Sequence, residues 1–226
     1  MSVAERIREL NEKIALAARA SGREPNQIQL IAVSKKMSMQ KIREAYAAGI
    51  RTFGENYVQE ALGKINELND LDIRWHMVGH LQSNKVKSIA GRFALIHSID
   101  SEKLINEIDK RSERAQEILI EVNLAAESSK SGVAPESLPS LLHSLQQKSN
   151  VHLRGLMFMP PFELTASESA KYFEKARQLR EKMAKEVSGP HNLHELSMGT
   201  SHDFEVAIQN GATMIRLGTV IFGPRD

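Results

Sequence analysis

The stretch Ile31-Ala32-Val33-Ser34-Lys35-Lys36 is the most informative part of the sequence for the fold. It is an apolar run with β-branched residues that ends abruptly at two lysines. A short run of this kind is typical of a strand that is covered on both faces, as in a parallel sheet packed between helices. Side chains alternate along a strand, so Ile31, Val33 and Lys35 share one face and Lys36 points to the other. The run therefore predicts a buried strand with a lysine at its end.

A lysine in this position has two interpretations. Burial without a partner would lower the lysine pKa from about 10.4, and an unprotonated amine condenses with an aldehyde to give a Schiff base. Alternatively, both lysines cap the strand and extend to water. Taken alone, the stretch favours the cap.

Strand-like and helix-like segments alternate on either side of this run. An amphipathic helix over residues 2–20 precedes it, with apolar residues at helical spacing and Ser21-Gly22 at its end. The other predicted strands cover residues 51–56, 73–79, 93–99, 117–123, 151–159, 194–197 and 212–217. The other predicted helices cover residues 38–48, 57–68, 82–90, 102–115, 135–147, 166–187 and 203–209.

This alternation implies parallel strands joined by right-handed crossovers, which places the protein in the α/β class. Eight strands with helices between them favour a closed (β/α)8 TIM-type barrel with an extra N-terminal helix. An open doubly wound sheet is the alternative, but no G-x-G-x-x-G follows any predicted strand. We expect one domain over residues 1–226.

The composition excludes several classes of function. The 226 residues contain no cysteine, which rules out disulfides, thiolate catalysis and cysteine-ligated metals. No apolar run reaches the roughly 18 residues of a membrane span, and the first ten residues are charged, so we expect a cytoplasmic protein without a membrane anchor. The net charge is only +2, and basic residues are interspersed with acidic ones, so nucleic-acid binding is not predicted.

Polar residues at the carboxyl ends of the strands predict a site at that face of the barrel. The loops after strands seven and eight are the usual phosphate site of such barrels, and here they contain Ser201, Gly218 and Thr219. Ser201 is predicted to cap a helix from residue 202 to 209, with a hydroxyl that can turn to phosphate instead. The alternative is a helix cap and a turn without a ligand.

Arg216 lies two residues before Gly218, so the two share a face of strand eight. A guanidinium inside a barrel needs an acceptor, and it donates but never accepts hydrogen bonds. A pyridine nitrogen opposite it would stay unprotonated, which weakens the ring as an electron sink. The alternative is a structural salt bridge to Glu55 or Asp203.

His76 and His80 have the spacing of helical metal ligands, but they fall in a predicted strand and no third ligand is apparent. We therefore predict no metal site. Both histidines are expected to be buried and hydrogen-bonded near the mouth of the barrel.

Taken together, these residues resemble the pyridoxal phosphate homeostasis proteins, single-domain relatives of alanine racemase that have the barrel of fold-type III pyridoxal phosphate (PLP) enzymes. The similarity covers nearly the whole length after the first helix. It rests on short motifs in the same order, namely Ala32-Val33-Ser34-Lys35, FGENYVQE at 53–60, Trp75-His76, His97-Ser98-Ile99-Asp100, Asn123 with Glu127 and Ser129-Lys130-Ser131-Gly132, Arg154-Gly155-Leu156-Met157, Ser197-Met198-Gly199, and Arg216 with Gly218 and Ile221-Phe222-Gly223.

The resemblance implies that PLP is the cofactor and that Lys35 forms the Schiff base. It also implies that Ser201, Gly218 and Thr219 hold the phosphate, that Arg216 faces the pyridine nitrogen and that Asn56 lies beside the ring. Met198, in the loop after strand seven, is included among the cofactor-binding residues. Two positions depart from the family pattern, Thr200 where many relatives have methionine and Met37 where some have a second lysine.

The function implied is that of a non-catalytic PLP-binding protein that stores, buffers or delivers the cofactor, with PLP-dependent apoenzymes as recipients. Racemases and decarboxylases of this fold add a second domain that supplies an opposing acid or base, so we expect no catalytic residue here, and a monomer. A PLP-dependent amino-acid racemase of fold type III is one alternative, and a weak residual activity of that type is also left open. The other is an isomerase that uses the phosphate site without covalent chemistry.

Overall fold

A computed structural model describes residues 1–125, 131–161 and 163–224. Eight strands form one closed parallel barrel in the order β1 to β8, with β1 paired to both β2 and β8. The strands are β1 Gln29–Val33, β2 Thr52–Glu55, β3 Arg74–Met77, β4 Leu95–Ile99, β5 Gln116–Glu121, β6 Val151–Met157, β7 Glu195–Ser197 and β8 Met214–Leu217. The predicted α/β fold, a (β/α)8 barrel, is confirmed.

The α-helices of the described ranges cover the outside of this barrel. They are α1 Val3–Ala20, α2 Met39–Ala47, α3 Val58–Glu67, α4 Val86–Ile89, α5 Glu102–Arg111, α6 Leu138–Leu145, α7 Ala166–Met183, α8 Phe204–Gln209 and α9 Thr219–Phe222. None of them combines the length and the apolar character that a membrane crossing requires.

The predicted N-terminal helix is confirmed as α1, which starts with a reciprocal capping box between Ser2 and Glu5. Its buried face includes Ile7, Leu10 and Ile14, and it packs against α8 and α9. This helix covers the side of the barrel where the first strand pairs with the last.

Several predicted boundaries are wrong because strand and helix ends depend on tertiary pairing. The first strand stops at Val33, before the lysines. The helix predicted over 82–90 is a 3-10 turn, Ser83–Lys85, followed by the single-turn α4. The short helix α9 was not predicted, because it begins directly at the end of β8.

The inside of the barrel carries both apolar and polar residues. An apolar layer crosses it, formed by Ile31, Leu95, Leu119, Met157 and Met214. A larger apolar core lies between the strands and the helices. The barrel is therefore a packed interior rather than a channel, and ligand-sized space is found at its ends.

Candidate functional site

A cavity of about 1140 Å³ opens at the carboxyl ends of the strands, and we call it the mouth. Most of the predicted site residues line it. They are Lys35, Asn56, Ser201, Arg216, Gly218 and Thr219. Met198 is not brought to the mouth, because its side chain is completely buried in the core between the strands and the helices. A signal was present, because Met198 directly follows Ser197 at the end of β7 and neighbouring side chains of a strand point to opposite faces.

The two lysines after β1 are separated as the strand alternation predicts. Lys35 is half-buried and lines the mouth beside Val33, whereas Lys36 is exposed. Lys36 has a φ of 61°, a left-handed conformation that is uncommon for a residue other than glycine. The chain therefore turns sharply immediately after Lys35.

This turn rests on a buried cluster of charges outside the barrel wall. Lys64 of α3 is 2% exposed, and its Nζ donates to Glu55 Oε1 at 2.7 Å, to Glu60 Oε1 at 2.6 Å and to the Ser34 carbonyl at 2.6 Å. The Ser34 hydroxyl also donates to Glu55 Oε1, and the Lys36 backbone N–H donates to Glu60. The cluster thus contacts the chain on both sides of Lys35.

Burial raises the pKa of the Glu55 carboxyl, although the hydrogen bonds from Lys64 and Ser34 act in the opposite direction. The role of Lys64 was missed from the sequence. A signal was present, because Val58, Ala61 and Lys64 fall on the buried face of one helix. A lysine at an apolar helical position requires a partner.

Asn56 reaches the mouth because β3 passes very close to the end of β2. A Cβ added to Gly79 would lie 2.3 Å from the Asn56 carbonyl oxygen, so only glycine fits there. Asn56 Oδ1 is buried and has no hydrogen-bond partner within the described ranges. A buried amide in this state is ready to bind a polar ligand group.

The loops after β7 and β8 meet at the mouth. The Gly218 backbone N–H donates to Ser201 Oγ at 3.3 Å. The predicted role of Ser201 as a helix cap is wrong, because α8 begins at Phe204 and Asp203 precedes it. Asp203 Oδ1 instead accepts from the N–H and hydroxyl of Thr200, forming a turn that holds Ser201 short of the helix.

Thr219 is the first residue of α9, and it lines the mouth beside Gly218. Gly218 also comes close to β1, since an added Cβ would lie 3.3 Å from the Val33 carbonyl oxygen. Hydroxyl groups and a backbone N–H are therefore grouped on the β7 and β8 side of the mouth, as expected for an anion site.

Arg216 enters the barrel from β8 and is only 6% exposed. Its Nη1 donates to Ser197 Oγ at 2.6 Å and its Nη2 to the Phe158 carbonyl at 3.2 Å. The alternative of a salt bridge to Glu55 is wrong, because that carboxylate lies outside the barrel wall against Lys64. Asp203 does not bind Arg216 directly either and only contributes to its electrostatic environment.

Burial lowers the pKa of Arg216 to about 10. The guanidinium therefore stays protonated at neutral pH and remains a hydrogen-bond donor. Two of its N–H groups have acceptors in the barrel wall, and the side chain also lines the mouth.

The predicted histidines differ from each other. His76 is buried as expected, with its Nδ1 3.0 Å from His97 Nε2, but it lines a second cavity at the opposite end of the barrel. His80 lies at the mouth and is exposed, with Nδ1 3.4 Å from Asp100 Oδ2. The expectation that both are buried at the mouth is therefore wrong, because His76 is buried but lies at the opposite end, and His80 lies at the mouth but is exposed.

Glu121, at the end of β5, also lines the mouth and was not identified from the sequence. Burial raises the pKa of its carboxyl, and the nearby Arg216 acts in the opposite direction. The signal was its position two residues before Asn123, which places both on one face of the chain. Of the sequence motifs, Glu127 and Ser129-Lys130 lie outside the described residues.

Within the described ranges, no three histidine, aspartate or glutamate residues are grouped as metal ligands. The charged groups of the mouth are instead an amine, a guanidinium and carboxylates, beside a cluster of hydroxyls. Such a set suits an organic anion with a reactive carbonyl.

Comparisons with known proteins agree with this geometry. The family described as alanine racemase, N-terminal domain, matches residues 8–226. The pyridoxal phosphate homeostasis protein of Aquifex aeolicus (strain VF5) is 44% identical over 230 residues, covering 100% of this chain and 99% of that protein.

Among solved structures, PipY of Synechococcus elongatus PCC7942 with PLP bound is 41% identical, with a TM-score of 0.86 over 98% of this chain and 100% of PipY. The alanine racemase of Corynebacterium glutamicum shares the fold, with a TM-score of 0.67 at 13% identity, over 98% of this chain but 62% of the racemase. The chain belongs to the pyridoxal phosphate homeostasis protein family and has the fold of the alanine racemase N-terminal domain.

Proposed function

We propose that this protein binds PLP covalently through Lys35 and holds it for storage, buffering or delivery without catalysing turnover. The observation that carries the proposal is the mouth, which brings one lysine amine, one buried arginine and a group of hydroxyls to a single cavity. The names of the relatives, and a PipY structure that contains PLP, support the same ligand.

The residues of the mouth fit this cofactor. Its volume of about 1140 Å³ exceeds what a small ligand requires. Ser201, Gly218 and Thr219 form the side suited to the phosphate. Asn56 also lines the mouth, and its Oδ1 has no hydrogen-bond partner among the described residues. When bound, PLP supplies an aldehyde and an electron-withdrawing pyridine ring.

The proposed role of Lys35 is nucleophilic. Its amine would condense with the aldehyde that PLP supplies, with loss of one water molecule. Arg216 would donate a hydrogen bond to the ring nitrogen, which would then carry no proton of its own. Because Arg216 stays protonated at neutral pH, the ring is a weak electron sink. This arrangement favours holding the cofactor over carbanion chemistry.

The remaining parts of the proposal concern the surroundings of the protein. We propose a single cofactor-binding domain that acts as a monomer in the cytoplasm, with PLP-dependent apoenzymes as recipients. The absence of cysteine fits a reducing compartment. Sedimentation of the PLP-loaded protein tests the monomer, and incubation with an apoenzyme, followed by recovery of its activity, tests delivery.

The central experiment is borohydride reduction of PLP-loaded protein, followed by peptide mass mapping. The expected result is a pyridoxyl adduct on Lys35 and loss of the visible absorbance in Lys35→Ala, while Lys36→Ala behaves as wild type. An adduct on Lys36 would overturn the assignment. Efficient racemisation or decarboxylation by the loaded wild-type protein would overturn the non-catalytic role, and binding of PLP without any adduct would favour the non-covalent alternative.

A further inference from the structure

Four buried side chains from four different strands form a continuous hydrogen-bond chain across the inside of the barrel. Arg216 Nη1 lies 2.6 Å from Ser197 Oγ, Ser197 Oγ lies 2.9 Å from His97 Nδ1, and His97 Nε2 lies 3.0 Å from His76 Nδ1. None of the four is more than 6% exposed. We call this set the polar chain.

The direction of the hydrogen bonds follows from the chemistry of the first member. Arg216 only donates, so Ser197 Oγ accepts from it. In the described part of the molecule the buried Ser197 hydroxyl has one other partner, His97 Nδ1. If the hydroxyl donates to that nitrogen, His97 carries its proton on Nε2 and donates to His76 Nδ1. His76 then carries its proton on Nε2.

The opposite direction is less favourable because it leaves more polar groups unsatisfied. If His97 Nδ1 donated to Ser197 Oγ, the Ser197 proton would have no acceptor among the described residues, and His76 Nε2 would be a buried lone pair. In the first direction the His76 Nε2–H is the single member of the polar chain that has no partner among the described residues. Each unsatisfied buried group costs about 1–3 kcal/mol, so the first direction is preferred.

The surroundings keep both imidazoles neutral. Burial lowers the pKa of His76 to about 3, with a smaller contribution from Arg74, and burial lowers the pKa of His97 well below its ordinary value, with smaller contributions from His76 and Arg216. A neutral imidazole has one donor and one acceptor nitrogen, which is what hydrogen bonds that all point the same way require of each ring.

The chain ends at the opposite side of the barrel from the mouth. His76 lines a lower cavity of about 340 Å³, together with Arg74, Glu117 and Glu195. The His76 side chain lines this space, whereas its Nε2 atom is itself buried. The polar chain thus begins at the mouth and ends at a second opening.

We propose that Ser197, His97 and His76 are positioning residues that fix the orientation of the Arg216 guanidinium toward the cofactor ring. Ser197 and the Phe158 carbonyl occupy one N–H on each terminal nitrogen, so the plane of the guanidinium is set before ligand arrives. The histidines keep the serine hydroxyl turned away from Arg216, because its proton is engaged with His97. This inference rests on the proposed function of Arg216.

The first test is made on the wild-type protein and uses substitutions only to assign its signals. Nitrogen NMR of protein labelled with ¹⁵N-histidine, without and with PLP, is expected to show His76 and His97 as neutral tautomers protonated at Nε2 at pH 7.5, with assignment by His76→Asn and His97→Asn. A His97 ring protonated at Nδ1, or a charged ring at either position, would overturn the polar chain as described. The tautomers can be measured in protein that contains no PLP, so this test does not depend on the proposed function.

The second test is Ser197→Ala, which removes the acceptor of Arg216, with Ser197→Thr as the conservative variant that keeps a hydroxyl. Equilibrium binding of PLP is expected to weaken about tenfold or more in Ser197→Ala, with a shifted absorbance maximum of the bound cofactor, and to be largely restored in Ser197→Thr. Thr52→Val, which removes a buried hydroxyl that accepts from Gln29 at the other end of the barrel, serves as the matched control and is expected to bind PLP as wild type.

Circular dichroism and thermal unfolding of each variant establish that it is folded before binding is measured. Unchanged affinity and spectrum in folded Ser197→Ala would overturn the positioning role, and so would equal losses in Thr52→Val. Failure of the wild type to bind PLP would instead overturn the proposed function, while the tautomers measured without PLP would still report on the polar chain.

Discussion

The mouth and the buried charge cluster beside it each contain a lysine amine, and the two amines have different surroundings. Lys35 lines an open cavity of about 1140 Å³, whereas Lys64 is 2% exposed and is held by two glutamates and a backbone carbonyl. Lys64 lies just behind the turn that carries Lys35, since both it and Glu55 contact Ser34.

The difference teaches that burial alone does not make a lysine reactive. The Lys64 amine donates to three acceptors and is almost completely buried, so it cannot meet a carbonyl ligand. A lysine at the rim of a cavity can meet a carbonyl ligand and exchange its proton with solvent. In this protein Lys64 fixes the turn, and Lys35 lines the cavity.

The largest expected effect comes from breaking the buried cluster. Lys64→Met leaves the Glu55 carboxylate buried without its cation, so we expect the free energy of unfolding to fall by about 3–5 kcal/mol, measured by urea denaturation. Lys13→Met, at an exposed position of α1, is the matched control, with a change within about 0.5 kcal/mol. The double variant Lys64→Met/Glu55→Gln is expected to recover part of the loss, and a Lys64→Met protein as stable as wild type would contradict the structural role.

Acid is expected to lower the free energy of unfolding by a smaller amount, and the groups responsible are the buried histidines. The pKa of His76 is about 3 in the folded protein and about 6.5 in the unfolded chain. Between these values the unfolded chain binds the additional proton, so stability is present above pH 6.5 and is lost as the pH falls. From pH 7.5 to 5.5 the loss from one such histidine is about 1.4 kcal/mol.

The measurement compares urea denaturation of wild type and His76→Asn at both pH values. Asparagine offers an acceptor near the position of Nδ1 but does not titrate. The loss of stability on acidification is expected to be smaller in His76→Asn, since all other titrating groups are shared. An identical pH dependence in the two proteins would show that His76 titrates normally when folded.

The smallest effect is expected at the turn itself. Lys36 has a φ of 61°, which disfavours a residue with a Cβ, whereas glycine adopts it freely at the cost of a more flexible unfolded chain. Lys36→Gly is therefore expected to raise the free energy of unfolding by about 0.5 kcal/mol, with the pyridoxyl adduct on Lys35 unchanged. Loss of the adduct would mean that the Lys36 side chain has a function at the mouth.

Much of the fold could be predicted because each βα unit repeats the same local pattern. Apolar β-branched runs followed by amphipathic segments identify eight parallel strands without knowledge of their partners. The boundaries were less accurate, as at Val33 and Phe204, because an element ends where tertiary pairing ends. The separation of Lys35 from Lys36 was predicted correctly, but both residues lie in the turn after β1 and not on the strand itself.

Local sequence patterns are enough to predict the barrel, the lysine at the end of its first strand and the residues that identify the family. The pairing of polar groups depends on the tertiary structure. Ser197, His97, His76 and Arg216 are distant in sequence and meet only because the barrel closes. In the same way Lys64 finds Glu55 because α3 folds back on β2. Hydrogen-bond partners depend on positions in space, and no local pattern of residue types records them.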